Sequence, residues 1–318
     1  MRLFVTGGAG FVGSNLVERL RVEDHAVTVF DDLSAGSREF LCELEGRPGF
    51  QFIKGDLLNL EELTSALRNH DAVFHLAANS DIGKGRQQTD RDFRLGTVAT
   101  FNVLEAMRRT GVNQLVFSSS SVVYGEPTVI PTPEDYGPLF PISLYGASKL
   151  ACEGLISAFC HNYGIQAWIF RFANICGRHG THGAIVDFIR KLRANNQRLE
   201  VLGDGDQAKP NLHVSGCVSG MIYGWQHAKE PLNYFNLGCE GATTAREIAR
   251  CVIDALGFED VKVEYTGGTR GWPGDVPQVR LDCTKMERLG WKANLSSTQA
   301  VRQAAQELAE ELLCRQLS

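Results

Sequence analysis

Through its first half the chain alternates short apolar runs, rich in β-branched and aromatic residues, with stretches in which apolar residues recur every three or four positions. The runs are RLFVT, AVTVFD, FQFIKGD, DAVFHLA, NQLVFSSS and QAWIFRFA. Helical spacing is read over Phe11 to Arg21, at Leu63 and Leu67, through Val98, Phe101, Leu104 and Met107, and through Leu150, Leu155 and Phe159. Apolar strands separated by helices predict an α/β domain whose parallel sheet is covered on both faces. Right-handed crossovers make that sheet doubly wound.

After about Asn174 the pattern changes. A helix is predicted near Ala184 to Ala194, the turn-rich LGDGDQAKPN follows, and a second helix runs around Ala245 to Leu256. The glycine- and proline-rich TGGTRGWPGDVP then precedes a last helix beginning near Thr298. The expected division is a Rossmann domain over 1–173 with about 212–236, and a smaller discontinuous domain over 174–211 and 237–318.

The 318 residues, 43% hydrophobic and 22% charged, suffice for two cores. A formal net charge of −5 offers no general attraction to nucleic acid or an anionic membrane surface, so any anionic ligand must be held by local groups. No apolar stretch approaches the ~18 residues that span a bilayer. The 9 cysteines are scattered, odd in number and without a C-x-x-C pair or histidines at finger spacing. They read as free thiols in a reducing compartment, and the expectation is a cytoplasmic protein without a metal site.

VTGGAGFVGS places Gly7, Gly10 and Gly13 directly after the first strand and at the opening of a helix. Such spacing serves a plain tight turn or a dinucleotide site. In the second case one glycine permits the turn, one lets backbone approach a pyrophosphate, and one lets helix and strand pack. The first helical residues, Phe11 and Val12, then present N–H groups and the positive end of the helix dipole to phosphate. Asp31 closes the second strand, where a carboxylate accepts from a ribose diol and repels a 2′-phosphate, which favours NAD over NADP. Asp32 competes for that role. Asp56, beside Leu57 after the third strand, either reaches the adenine or caps the helix starting near Leu60.

Tyr145 and Lys149 stand four apart at a helix opening, so both project from one face. An ammonium near a phenol favours phenolate, lowering a reference pKa of ~10 toward the range of a general base. The other reading of the pair is an exposed helix contact. Ser118 to Ser121 end a strand at the sheet edge where ligands bind, and serve either as hydroxyl donors or as turn and cap residues.

Taken in order, TGGAGFVGS, HLAA, SSSSVVYG, YGASK, RFANICG and WPGDVP…LD…LGW resemble the extended short-chain dehydrogenase/reductase family over essentially the whole chain. Within it, the resemblance is to the nucleotide-sugar epimerase and dehydratase branch, of the UDP-glucose 4-epimerase type. The resemblance implies Tyr145 as base, Lys149 as the grip on the nicotinamide ribose, and Ser120 as hydroxyl partner. It further implies that Ala77 and Ala78 lie along the cofactor, that Asn174 and Lys209 hold the nucleotide diphosphate, and that the chain forms a homodimer through the helices near Val98 to Met107 and Leu150 to Phe159. Ser121 and Val122 occupy the positions of the dehydratases' acid pair, which disfavours dehydration. Gly96 replaces a bracing asparagine and Trp272 an arginine that meets the diphosphate; Pro210 and Asn211 also depart from the pattern, and Arg270 or Arg280 is the candidate replacement cation. Lys84 and Arg86 are further cations near the expected sugar site, or solvated surface charge, while Asp187 and Asp275 read as structural. The resulting expectation is an NAD-dependent epimerase acting at C4 of a UDP-hexose-type nucleotide sugar through a transient 4-keto sugar. The alternatives are a 4-ketoreductase or another epimerase or dehydratase of the family and, more remotely, a non-catalytic dinucleotide-binding regulator.

Overall fold

The computed structural model describes residues 1–79, 87–268 and 280–314. Lys84, Arg86, Arg270, Trp272 and Asp275 lie outside the described residues.

The first half folds as β1 (Arg2–Thr6), α1 (Phe11–Val22), β2 (Ala26–Asp31), β3 (Phe50–Lys54), α2 (Leu60–Leu67), β4 (Ala72–His75), α3 (Ala99–Thr110), β5 (Gln114–Ser120), α4 (Leu144–Tyr163) and β6 (Gln166–Phe172). Helix boundaries follow local chemistry. Asn59 caps α2 by accepting from Glu62 N at 3.3 Å, and Ser143 caps α4 by accepting from Gly146 N at 3.0 Å. Gly111 and Gly164, at φ +77° and +69°, end α3 and α4 in the left-handed conformation.

Later elements are β7 (Asn174–Cys176), α5 (Ala184–Ala194), β8 (Arg198–Val201), β9 (Ala208–Lys209), β10 (Asn211–His213), α6 (Val214–His227), β11 (Leu232–Leu237), β12 (Thr243–Thr244), α7 (Ala245–Leu256), β13 (Lys262–Tyr265), α8 (Thr284–Leu289) and α9 (Ser297–Cys314). A seven-stranded sheet takes the order β11-β6-β5-β4-β1-β2-β3. The pairings β1–β2, β2–β3, β1–β4 and β4–β5 are parallel. Sequence order reverses between β1 and β4, which opens a crevice beyond their carboxyl ends.

Contacts divide the chain into two compact units. The first comprises Met1–Glu126, Glu134–Arg171 and Met221–Phe235; the second comprises Pro127–Pro133, Phe172–Gly220 and Asn236–Ser318. The first unit's core packs Phe4, Phe30, Leu67, Leu104, Phe117 and Ile156. The second has its own core around Phe188, Ile189, Leu199, Val252 and Leu308. Residues 127–133 are stitched into the second unit by Thr132, whose N–H donates to Arg280 O (2.8 Å) and whose O accepts from Asp282 N (3.0 Å). No described helix is long and apolar enough to cross a membrane.

Candidate active site

Between β1 and α1 the chain turns through Gly7 to Gly10, closed by Gly10 N donating to Gly7 O at 3.1 Å. A Cβ on Gly13 would lie 2.0 Å from Gly7 O, and one on Gly7, at φ +69°, would lie 2.6 Å from Ala77 N. Both bare positions are demanded by the protein's own backbone. Gly10 differs, because a Cβ there would meet nothing nearer than Gly7 O at 3.2 Å. No side chain caps α1, so its first turn, with half-buried Phe11 and Val12, offers backbone N–H groups to an anion.

Asp31 is buried at the end of β2, and its two oxygens accept from Ala9 N (3.0 Å) and Leu33 N (2.9 Å). Burial raises its pKa against those bonds. It thereby ties the glycine turn to the second strand and keeps lone pairs for a diol. Asp32 is exposed and its Oδ1 accepts from Ser34 N at 2.8 Å. Asp56 is exposed and accepts from Leu58 N at 2.8 Å; it does not cap the following helix, because Asn59, nearer the helix start, takes that role. Leu57, Ala77 and Ala78 are half-buried. An uncapped helix start, a Gly10 less crowded than Gly7 and Gly13, and a strand-end carboxylate together fit a dinucleotide with a free ribose diol.

His75, at the carboxyl end of β4, joins this turn to the next part of the site. Its Nδ1 pairs with Thr6 Oγ1 at 2.7 Å, its Nε2 with Thr100 Oγ1 at 3.0 Å, and its O accepts from Ser118 Oγ at 3.3 Å. Burial, and after it the Lys149 charge, pulls its pKa down to about 3, so the ring is neutral near neutral pH.

The serines and α4 meet at the end of β5. Lys149 is buried, its Nζ donates to Ser118 O at 2.6 Å, and it lies 5.7 Å from the Tyr145 ring centroid. Ser120 Oγ accepts from Val122 N at 3.4 Å, which leaves its own proton to donate elsewhere. A Cβ on Gly146 would lie 2.8 Å from Val122 O, so the turn bearing Tyr145 rests on the turn that Ser120 opens. The titration of the pair differs from expectation. Burial, with Asp92 second, pushes the half-buried Tyr145 phenol above its ordinary range, while burial pulls Lys149 down to about 8. Desolvation of both groups outweighs the stabilisation of phenolate by an ammonium at this separation.

Gly96 has a steric reason. It sits in a π-helical stretch, Phe93–Val98, and a Cβ there would fall 2.1 Å from Ser148 Oγ. That hydroxyl donates to Asp92 O at 2.7 Å and pairs with Thr97 Oγ1 at 3.1 Å. Asp92 is buried, and its Oδ1 accepts from Asn79 Nδ2 at 2.8 Å.

Sequence reasoning missed a buried polar network beside the site. Ser119 Oγ donates to Glu153 Oε1 at 2.6 Å. Arg171 holds Glu153 through two bonds, 3.0 Å from Nε and 2.7 Å from Nη2, and its Nη1 donates to Tyr124 OH and Glu134 O, both at 2.9 Å. An arginine inside an apolar strand run was the available signal, since a buried guanidinium needs a carboxylate.

In the second unit, Asn174 is exposed at the start of β7 and pairs in register with Asn211 of β10. Asn211 Nδ2 donates to Lys209 O at 2.9 Å, so Asn174 and Lys209 belong to one patch. Asn211 is itself buried, and its N–H donates to Ser297 Oγ at 3.0 Å. Asp187 pairs with Lys191 at 3.0 Å on the exposed face of α5. No cluster of three or more potential metal ligands occurs among the described residues.

Residues 3–238 match the model of the NAD dependent epimerase/dehydratase family. A UDP-glucose 4-epimerase from Mycolicibacterium smegmatis is 32% identical over 309 residues, covering 95% of this chain and 96% of the relative. A solved UDP-galactose 4-epimerase superimposes with a TM-score of 0.87 at 38% identity, over 98% of this chain and all of the other. A dTDP-glucose 4,6-dehydratase from Streptomyces venezuelae, solved with NAD and TYD bound, superimposes with a TM-score of 0.88 at 27% identity, over 98% of this chain and 97% of the other.

Proposed function

The chain belongs to the NAD dependent epimerase/dehydratase family, and we propose that it inverts C4 of a nucleotide sugar of the UDP-glucose/UDP-galactose type. The observation that carries this reading is the meeting of Tyr145, Lys149 and the end of β5 on the sheet that also bears the glycine turn. Gly7, Gly10 and Gly13, with the N–H groups of Phe11 and Val12, hold the pyrophosphate of NAD. Asp31, with Asp32 beside it, accepts from the adenosine ribose; Asp56, Leu57, Ala77 and Ala78 border the cofactor, and Lys149 grips the nicotinamide ribose. NAD, when bound, would supply a hydride acceptor that returns the hydride, together with a positive ring, the further cation that the half-buried phenol needs.

Tyr145 takes the proton of the C4 hydroxyl while Ser120 donates a hydrogen bond to the oxygen left behind. The 4-keto sugar turns and is reduced on its opposite face, with Tyr145 returning the proton. Turning requires a loosely held sugar and a firmly held nucleotide, so binding energy concentrates on the diphosphate, at Asn174 and Lys209, with Arg270 or Arg280 as the further cation.

The likeness to a dehydratase at the level of fold leaves the choice of chemistry to side chains. Ser121 and Val122 follow Ser120, and neither can protonate a leaving hydroxyl. Purified protein incubated with UDP-glucose and no added NADH is expected to produce the C4 epimer, read by NMR. Absence of inversion across a panel of nucleotide sugars, with stoichiometric use of NADH on 4-keto sugars, would establish the ketoreductase instead.

Two copies pair through α3 and α4. Support comes from Phe101 and Tyr163, 43% and 55% exposed, which flank Phe159 at ring separations of 6.2 and 5.0 Å. Sedimentation at micromolar concentration tests this. Eight free cysteines among the described residues support residence in a reducing compartment, the cytoplasm.

A further inference from the structure

We propose that Ser119, Glu153 and Arg171 are positioning residues, a buried clamp that sets Ser120 against Tyr145; its catalytic consequence rests on the epimerase reading. Tyr145, Lys149 and Glu153 recur every four residues along one face of α4. The last two reach consecutive residues of β5: Lys149 Nζ meets Ser118 O, and Glu153 Oε1 meets Ser119 Oγ, each at 2.6 Å. Two buried contacts at adjacent positions fix how far the strand end can slide along the helix. Ser120 is the next residue, its Cα within about 3.8 Å of that of Ser119, so displacement at one is passed to the other.

The clamp also grips the chain beyond Ser120. Arg171, on β6, is a planar fork whose two bonds to Glu153 fix the carboxylate in direction as well as place. Its Nη1 reaches Tyr124, the end of the 3₁₀ turn Ser121–Tyr124, and also Glu134 O on the way to α4. Ser120 is thus held between a fastened neighbour on one side and a fastened turn on the other. An apolar pair of similar volume would join β6 to α4 at least as firmly, because burying an ion pair carries a large desolvation cost. What such a pair lacks is a directional acceptor for the Ser119 hydroxyl.

Ser119→Ala removes the link and leaves the ion pair in place. Hydrogen exchange over 118–124 is expected to quicken about 10-fold, with other segments unchanged. Turnover in the C4 assay is expected to fall about 10-fold while KM stays within about twofold. In a Ser120→Ala background, adding Ser119→Ala is expected to cost nothing more, since the hydroxyl it would orient is gone. Glu153→Gln, which keeps an oxygen for Ser119, is expected to retain more turnover than Glu153→Leu at equal folded fraction. Unchanged exchange over 118–124, or a turnover loss repeated in full in the Ser120→Ala background, overturns the clamp. Inactivity of the native chain toward every nucleotide sugar overturns the epimerase reading instead, and exchange then decides the clamp.

Discussion

The glycine turn and the serine–lysine edge lie at strand ends of one sheet on either side of β4, yet they are built by opposite means. The turn works by missing atoms: at Gly7 and Gly13 a methyl group would strike backbone at 2.6 and 2.0 Å. The edge works by paired polar atoms, with Lys149, Ser119 and Glu153 all buried and all bonded. Steric demands are absolute and local, so one substitution breaks the turn. Polar demands are shared among β5, α4 and β6, so a substitution there changes chemistry before it changes fold.

Tyr145→Phe presses hardest on that difference. Removing the phenolic oxygen is expected to cut turnover 10² or more, about 3 kcal/mol of barrier, while NAD binding and the unfolding midpoint hold. Near-native turnover would remove the assigned base. Gly13→Ala is expected to do the reverse and cost about 3 kcal/mol of stability, because a methyl 2.0 Å from Gly7 O must displace backbone. A native urea midpoint in that variant would show the turn to be more yielding than its geometry says.

The same contrast explains what was legible. Four glycines within the seven residues from Gly7 to Gly13, following an apolar strand, announce a turn because the constraint is itself local. Tyr145 and Lys149 are legible as one helical spacing, but the shift in the tyrosine's titration is not, because burial and Asp92 set it from elsewhere in the fold. Glu153 continues the spacing of Tyr145 and Lys149 along α4, but its partner Arg171 lies on β6, and nothing local in the chain links the two. The outer strand β11 is hidden by its own asparagines, Asn233 and Asn236, which are buried on backbone carbonyls where an apolar pattern would expect aliphatic side chains. Helices α5 and α7 were read to their ends, since strong amphipathic stripes survive any tertiary context.

His75 couples the two regions, which makes the coupling sensitive to acid. Unfolded histidine takes a proton near pH 6.5, whereas the folded ring resists one until about 3. Stability is therefore fully present above 6.5 and is lost as pH falls through that interval. By pH 5 the loss is about 2 kcal/mol, from 1.5 pH units at 1.36 kcal/mol each. His75→Asn, which cannot titrate there, is expected to flatten the change in urea midpoint between pH 7 and pH 5. An equal slope in both proteins would place the acid sensitivity at other groups.

Gly10→Ala is the finest test, because it asks whether the turn serves the protein or its ligand. Gly13 and Gly7 are bare for the backbone's sake, but at Gly10 the nearest atom to an added methyl is Gly7 O at 3.2 Å, a contact relieved by a few tenths of an ångström. The unfolding midpoint should therefore stay close to native. A pyrophosphate drawn onto the uncapped start of α1 has no such latitude, since close approach to its N-cap, Gly10, needs bare backbone there. NAD affinity, measured by calorimetry after removal of retained cofactor, should fall about tenfold, or about 1.4 kcal/mol. A variant that binds NAD as tightly as the native chain would mean the phosphates rest elsewhere on the turn. A variant that loses stability as Gly13→Ala does would mean that all three glycines answer to the fold alone.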